Sequence, residues 1–289
     1  MQSEPSYRLV TLANGTRSVH SVAEAETFHP VIGPVAEAEA LYVRQLNLVE
    51  RVAQHAGEFV LWDVGLGAAA NALTVLRATR HLPASIRLVS FDRTDAPARF
   101  ALEHSAELGY VAGYEDALTQ LIQKRELSFA DGARTVHWQL HLTDFPALIQ
   151  AEASRHAHSN LPAPHAILFD AFSPAKNPAM WTQPLFANMF RLLSPIRPCA
   201  MPTYSRSTAL RVSLLLAGFF VGAGHATGEK EETTIAANSL ALLEEPLDRM
   251  WLARARRSKS AEPLWGPTYR QAPIAPETWE KLGQHPQFR

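Results

Sequence analysis

Cysteine is almost missing. Cys199 is the one example in 289 residues, so the chain closes no internal disulfide and offers no cysteine cluster to zinc; a reducing compartment is expected. Net charge is missing as well. Lysine and arginine number 27 against 28 aspartates and glutamates, a formal balance of -1. No global field pulls a polyanion in, and any nucleic acid must be met by local patches. Long apolar runs are absent too. LLLAGFFVGAG, at 214–224, is too short and too broken by glycine to span a bilayer. The first residues, MQSEPSYRLV, lack the basic start and apolar centre of a secretion signal. The expectation is a soluble cytoplasmic protein without membrane attachment. Internal repeats and low-complexity tracts are not found.

Histidine is present but does not suggest a metal site. His137 and His141 share one face of a strand, too far apart along it for one ion. His156 and His158 sit in a loop with no third ligand in view. No metal is expected.

Apolar residues make up 47% of the chain, enough for a sizeable core. Two strand-like runs, Tyr7–Leu12 and Arg17–Val22, flank Asn14-Gly15, a strong hairpin signal. From Pro34 to about Ala56 the pattern is helical, with Leu41, Leu48 and Val52 on one stripe. Alternation then begins. Strands are expected at Phe59–Val64, Ile86–Phe91, Val136–Leu142, Ala166–Phe169 and Ala200–Tyr204. Helices are expected at Ala68–Arg80, Ala96–Leu108, Phe145–Ala153, Thr182–Leu193 and Ser207–Ala217. The stretch from Gly109 to Gly132 reads as an irregular, partly helical connection. Strand–helix alternation implies a parallel sheet with helices on both faces.

The end breaks that pattern. Phe219–Gly224 and Thr233–Leu242 are separated by about eight residues, too few for a crossover helix, so they pair antiparallel. Five parallel units and a closing hairpin predict an α/β, Rossmann-like class I methyltransferase fold: a mostly parallel seven-stranded sheet with an antiparallel final hairpin. The expected divisions are an N-terminal cover at 1–56, the main domain at 57–245, and a basic, proline-rich tail at 246–289 that resists assignment.

In open α/β sheets, ligands sit at the carboxyl ends of the strands. The first strand delivers WDVGLGAAAN, in which Gly65 and Gly67 permit a tight turn and close approach of backbone to a ligand. The next three end on Asp92, Asp144 and Asp170. Each aspartate alone suits a helix N-cap, Asp144 before Phe145 above all. All four features at one edge favour a cofactor. GLGAAA fits the dinucleotide fingerprint, and Asp92, 25 residues past Gly67, suits a ribose in NAD or in S-adenosyl-L-methionine. Asp63, two residues before Gly65, and the closing hairpin favour the second.

The stretch DAFSPAKNPAMWTQPLF, from Asp170, resembles the signature of the tRNA 5-methylaminomethyl-2-thiouridine methyltransferases, the methyltransferase half of the bifunctional MnmC enzymes and their stand-alone relatives. It matches every fixed position of D-x-F-x-P-x-K-N-P-x-M-W. The likeness runs from about Asn14 to Pro263 and takes in ETFHPVIGPVAEAEALYV, SFDRTDAP, TGEKEET and ARARRSKSAEP. It implies methyl transfer from S-adenosyl-L-methionine to the aminomethyl nitrogen of a tRNA wobble uridine. Carried over, Asp63, Gly65 and Gly67 line the methionine and ribose end of the cofactor. Asp92 holds the ribose hydroxyls, Asp144 sits near the adenine, and Asp170 faces the amine as the catalytic group. His29, Glu37, Phe172, Lys176, Asn177, Trp181 and Lys230 fall on the substrate side. Among them Phe172 and Trp181 offer stacking faces, Lys176 a phosphate contact, and Asn177 a hold on its own loop.

The chain departs from the family at several points. Ala68 and Ala69 replace a Thr and a Gly of the glycine loop, Pro30 stands where a Ser follows His29, Ile196-Arg197 where two glycines follow Pro195, and Glu231 where the family carries Arg. Two other readings therefore stand beside the first: a class I methyltransferase for another RNA or a small amine, and a cofactor-binding scaffold without catalysis. The cluster Arg249, Arg254, Arg256, Arg257 and Lys259 suits a tRNA backbone or simply a solvated tail.

Overall fold

The computed structural model describes residues 6–155, 159–228 and 231–289. Two compact units divide the chain: Met1–Thr143 with Leu168–Asp170 and Ala226–Glu231, and Asp144–Ile167 with Ala171–His225 and Glu232–Arg289.

The first unit opens with the expected hairpin. β1 (Tyr7–Thr11) pairs antiparallel with β2 (Arg17–Ser21), and β3 (Glu26–Thr27) joins β2. The Asn14 side chain accepts from the Thr16 N–H at 3.0 Å and sets the turn. The single helix expected at 34–56 is instead broken: α1 (Pro34–Ala38), a π turn at Glu39–Arg44, then α2 (Leu48–Gln54). Asn47 marks the break in the left-handed region, φ 48°, which asparagine tolerates. Leu41, Leu48 and Val52 are buried, as the stripe requires.

Alternation follows: β4 (Glu58–Val64), α3 (Ala70–Thr79), β5 (Ser85–Asp92), α4 (Ala96–Glu103), α5 (Ser105–Leu108), α6 (Glu115–Lys124), β6 (Glu126–Asp131) and β7 (Arg134–Leu142). β4 pairs parallel with β5, and β5 with β7, so that Asp63 lies opposite Ser90. β6 is an addition, antiparallel to β7 at the edge, in the stretch read as irregular. Its short turn needs Gly132, φ 65°, where a Cβ would collide with the Arg80 carbonyl.

The second unit begins with α7 (Phe145–Ser154) and holds the start of β8 (Ala166–Phe169), whose last two residues belong to the first unit. A 3-10 turn (Pro178–Trp181), α8 (Gln183–Leu192), β9 (Ala200–Thr203), α9 (Thr208–Ala217), β10 (Phe220–Gly224) and β11 (Thr233–Ala237) complete the expected pattern. β9 runs parallel to β8, while β11 is antiparallel to both β9 and β10. All seven expected strands are present, in a mixed, mostly parallel α/β arrangement. β12 (Glu245–Pro246) adds a short edge to β10.

The tail is folded into α10 (Arg249–Arg257) and α11 (Pro276–Gly283). Trp251, Ala255 and Leu282 are buried on these helices, and polar contacts add to their hold. Buried Glu262 accepts from the Trp265 indole, the Ala275 N–H and the Thr278 hydroxyl at 2.8, 2.8 and 2.9 Å. The Gln287 amide pairs with both backbone groups of Val221, at 2.8 and 2.7 Å.

A buried ion pair closes the β6–β7 turn. The Arg134 side chain is fully buried and donates to Asp131, Thr79 and the Leu76 carbonyl, while Asp131 also accepts from Tyr114 at 2.8 Å and Arg80 at 2.8 Å. Asp131→Ala strips that guanidinium of its counter-charge. It is expected to lower unfolding free energy by about 3–5 kcal/mol in urea titration; a loss near zero would show that the pair does not hold the turn.

Candidate functional site

The site residues of the first unit gather at the carboxyl ends of β4, β5 and β8. Asp63, near the end of β4, is buried. Its Oδ2 accepts from Ser90 Oγ at 2.7 Å, and Ser90 in turn accepts from the Trp138 indole at 2.9 Å. Its Oδ1 is buried and has no hydrogen-bond partner among the described residues. Burial pushes the Asp63 carboxyl up to about 7; the Ser90 hydrogen bond opposes this, and the charges of Asp170 and Asp92 add to it.

The glycine loop turns directly after β4. Gly65, Gly67 and Ala69 all take positive φ, at 94°, 52° and 63°. At Ala69 that conformation costs a side chain about 1–2 kcal/mol. So the alanine that replaces glycine keeps the glycine geometry, at a cost. The Gly67 N–H donates to Asp92 Oδ2 at 2.9 Å, while Asp92 Oδ1 accepts from the Arg93 and Thr94 N–H groups at 2.7 and 3.2 Å. Burial raises the Asp92 pKa, and these three backbone donors oppose it. Phe28 covers the loop: a Cβ at Gly67 would lie 3.3 Å from its ring.

Asp170 follows β8 and ties back to β4, its N–H donating to the Val64 carbonyl at 3.0 Å. Asn71, buried in the first turn of α3, donates from Nδ2 to Asp170 Oδ2 at 2.7 Å. Asn71 Oδ1 is a second buried polar atom without a partner among the described residues. His29 lies between two carboxylates: Nε2 is 3.6 Å from Asp170 Oδ2, and Nδ1 is 3.7 Å from Glu37 Oε1. Burial alone would lower the His29 pKa, but Asp170 and Glu37 outweigh it and raise it.

Seven expected residues thus meet: His29, Glu37, Asp63, Gly65, Gly67, Asp92 and Asp170. Asn71, Ser90 and Phe28 take part without having been expected. Asn71 alone left a signal, as the polar residue opening the helix after the glycine loop.

Asp144, Phe172, Lys176, Asn177 and Trp181 belong to the second unit. Asp144 is an exposed N-cap, its Oδ1 accepting from the Ala147 N–H at 2.9 Å, so α7 uses the carboxylate expected near an adenine. Trp181 is corrected outright. It is 2% exposed, donates its indole N–H to the Phe172 carbonyl at 2.7 Å, and meets Tyr204 edge-on at 5.8 Å. It packs the inside of its loop and offers no stacking face, and Met180 beside it is buried too. Asn177 holds the loop through its backbone: its N–H donates to the Ser173 carbonyl at 2.8 Å, and its side chain caps nothing. Phe172 is half-buried and Lys176 exposed. Lys230, like His156 and His158, lies outside the described residues. Among the described residues no group of three or more His, Cys, Asp or Glu is placed to hold a metal ion, and no helix is long and apolar enough to cross a membrane.

The raised Asp63 pKa carries a sign. The folded protein binds a proton that the unfolded chain releases between about pH 4 and pH 7, so stability falls as pH rises through that window. From pH 5 to pH 8 the wild type is expected to lose ~2.5 kcal/mol more than Asp63→Asn in denaturant titrations without cofactor. Parallel pH profiles for the two proteins would mean that Asp63 is ionised throughout.

Residues 111–239 match a family described as S-adenosyl-L-methionine-dependent methyltransferases. A protein of Ralstonia nicotianae, the tRNA 5-methylaminomethyl-2-thiouridine biosynthesis bifunctional protein MnmC, is 27% identical over 253 residues, covering 83% of this chain and 34% of that protein. The protein of the same name from Ectopseudomonas mendocina is 28% identical over 232 residues, covering 75% of this chain and 33% of its own. The chain therefore spans about a third of the length of the curated relatives it matches. The crystal structure of MNMC2 from Aquifex aeolicus aligns over 97% of this chain and 84% of that one, with a TM-score of 0.69 at 20% identity, which establishes a shared class I methyltransferase fold. Family match, relatives and fold together make this chain an S-adenosyl-L-methionine-dependent methyltransferase, homologous to the methyltransferase part of those bifunctional proteins.

Proposed function

We propose that the chain methylates the aminomethyl nitrogen of a modified wobble uridine in tRNA. The observation that carries this reading is where the DAFSPAKNPAMW motif starts. Its Asp170 is tied to Asn71 and stands beside His29, next to the glycine loop and Asp63. The relatives' name, which concerns 5-methylaminomethyl-2-thiouridine in tRNA, supports the same substrate.

When bound, the cofactor supplies a methyl group on a positively charged sulfur. The residues present suit such a group. In this reading Gly65 and Gly67 bring bare backbone close to it, and Asp92 accepts from the ribose hydroxyls. The partnerless Asp63 Oδ1 takes the ammonium at the methionine end, which favours the ionised carboxylate. Asp170 orients the substrate amine and accepts its proton. Positioning supplies most of the rate, because an amine with a free lone pair is already a good nucleophile.

Phe172 and Lys176 are assigned to the base and phosphate of the tRNA, with Asn177 and Lys230 on the same side. Trp181 supports them from within its loop. The exposed Arg254, Arg256, Arg257 and Lys259 of the tail suit the tRNA backbone, although Arg256 also lies over Trp279 at 5.0 Å. Residues 1–56 act as a cover and 57–245 as the catalytic domain. A tRNA substrate places the protein in the cytoplasm.

The test is incubation with S-adenosyl-L-methionine and tRNA bearing aminomethyl-2-thiouridine, followed by mass spectrometry of the nucleosides. A gain of one methyl at that nucleoside is expected, and Asp170→Asn should slow it about 100-fold. Asp92→Ala should weaken cofactor binding at least about tenfold by calorimetry, since it removes a charged acceptor. Tight cofactor binding without methylation of that tRNA would refute the substrate assignment.

A further inference from the structure

His29 holds a conformation that its neighbours oppose. Its φ is 49°, in the left-handed region that side chains avoid. Pro30 follows, and a residue before proline is driven toward extended backbone. Such strain persists where surrounding structure enforces it, often at functional positions. What the conformation achieves here is placement. A ring 8% exposed lies between Asp170 at the end of β8 and Glu37 in the first turn of α1, at 3.6 and 3.7 Å. Distances of this kind commonly tighten once substrate binds.

We propose that His29 is a positioning residue that relays protons, taking from Asp170 the proton that the substrate amine gives up and facing Glu37 through its other nitrogen. The inference rests on the amine-methylation reading. An alkylamine is mostly an ammonium near neutral pH and has no lone pair to attack with. Its N–H bond breaks, the electron pair stays on nitrogen, and the proton passes to an Asp170 oxygen. Above the His29 midpoint it then moves to Nε2 of the neutral ring, whose Nδ1 faces Glu37 at 3.7 Å. Asp170 is again an anion, ready for the proton that the methylated nitrogen sheds. Both protons pass to solvent before the next turnover, and no further reactant is needed.

The charged groups acting on His29 are Asp170 and Glu37, and Asp63 from β4 acts in turn on Asp170. The two carboxylates raise the proton affinity of the ring against the effect of burial, so the ring is free to accept a proton once pH exceeds that raised midpoint.

Two measurements test the relay. In histidine-labelled protein without cofactor, the nitrogen resonances of His29 should titrate above the ordinary histidine range. Asp170→Asn and Glu37→Gln should each lower that midpoint by about one unit. A His29 midpoint indifferent to Asp170→Asn overturns the proposal, whatever the substrate proves to be. The second measurement is single-turnover transfer to aminomethylated tRNA by His29→Asn, asparagine being chosen because it tolerates positive φ. The rate should fall about 100-fold near pH 8, where the ring is neutral in more of the molecules, with cofactor affinity unchanged within about twofold, and the gap should close to roughly threefold near pH 9.5 as the amine loses its proton unaided. An equal loss at every pH would show a structural role and overturn the relay. A wild type inactive on this tRNA would refute the substrate reading alone, and the titration would still decide whether His29 and Asp170 are coupled.

Discussion

Asp92 and Asp170 both act against the charge of Asp63, and the fold keeps the three acids together at adjoining strand ends. The charges of both Asp170 and Asp92 act on Asp63, and its burial makes ionisation costlier still. Much of the surrounding structure answers this one constraint. Trp138 and Ser90 reach Asp63 in a relay of hydrogen bonds, three backbone N–H groups serve Asp92, and Asn71 and His29 serve Asp170. The glycine loop is bent through three positive-φ residues, and its Gly67 N–H meets Asp92. A carboxylate cluster with an unpartnered buried oxygen is poor ground for a lone protein and good ground for a cationic ligand. Within the proposed reading, the sulfonium and ammonium charges of the cofactor complete it.

Much of this could be read from the sequence because strand ends announce themselves. A short apolar run followed by an acid, as in FVLWDVG, RLVSFD or HAILFD, marks where a parallel strand leaves the core. Those runs located all three acids and the glycine loop. Ala69 was equally readable as a question: an alanine where glycine geometry is needed. The structure answers that the backbone keeps the geometry. Legibility failed where tertiary contacts decide. Asn71 and Ser90 look like ordinary helix and strand residues until their side chains meet Asp170 and Asp63 across 99 and 27 positions of chain. β6 alternates too weakly to stand out and is fixed by its pairing with β7 and by the Asp131–Arg134 pair. The segments between and after the two tail helices are hard to read because Glu262 and Gln287 fix them through polar contacts.

Trp181 teaches a different lesson. A tryptophan in a rich motif invites a stacking role, yet burial with a satisfied indole N–H makes it a support for its loop. Asp144 likewise shows that an acid at a strand end can be used up by the next helix. Position along the sheet edge did not show which acid caps a helix or which ring is buried; hydrogen-bond partners did.

The most direct test of the account is a crystal structure with S-adenosyl-L-homocysteine bound. The account predicts both ribose hydroxyls within about 3 Å of the Asp92 carboxylate, the amino group of the ligand on Asp63 Oδ1, and the sulfur turned toward Asp170. A ligand that leaves Asp92 and Asp63 untouched would contradict it.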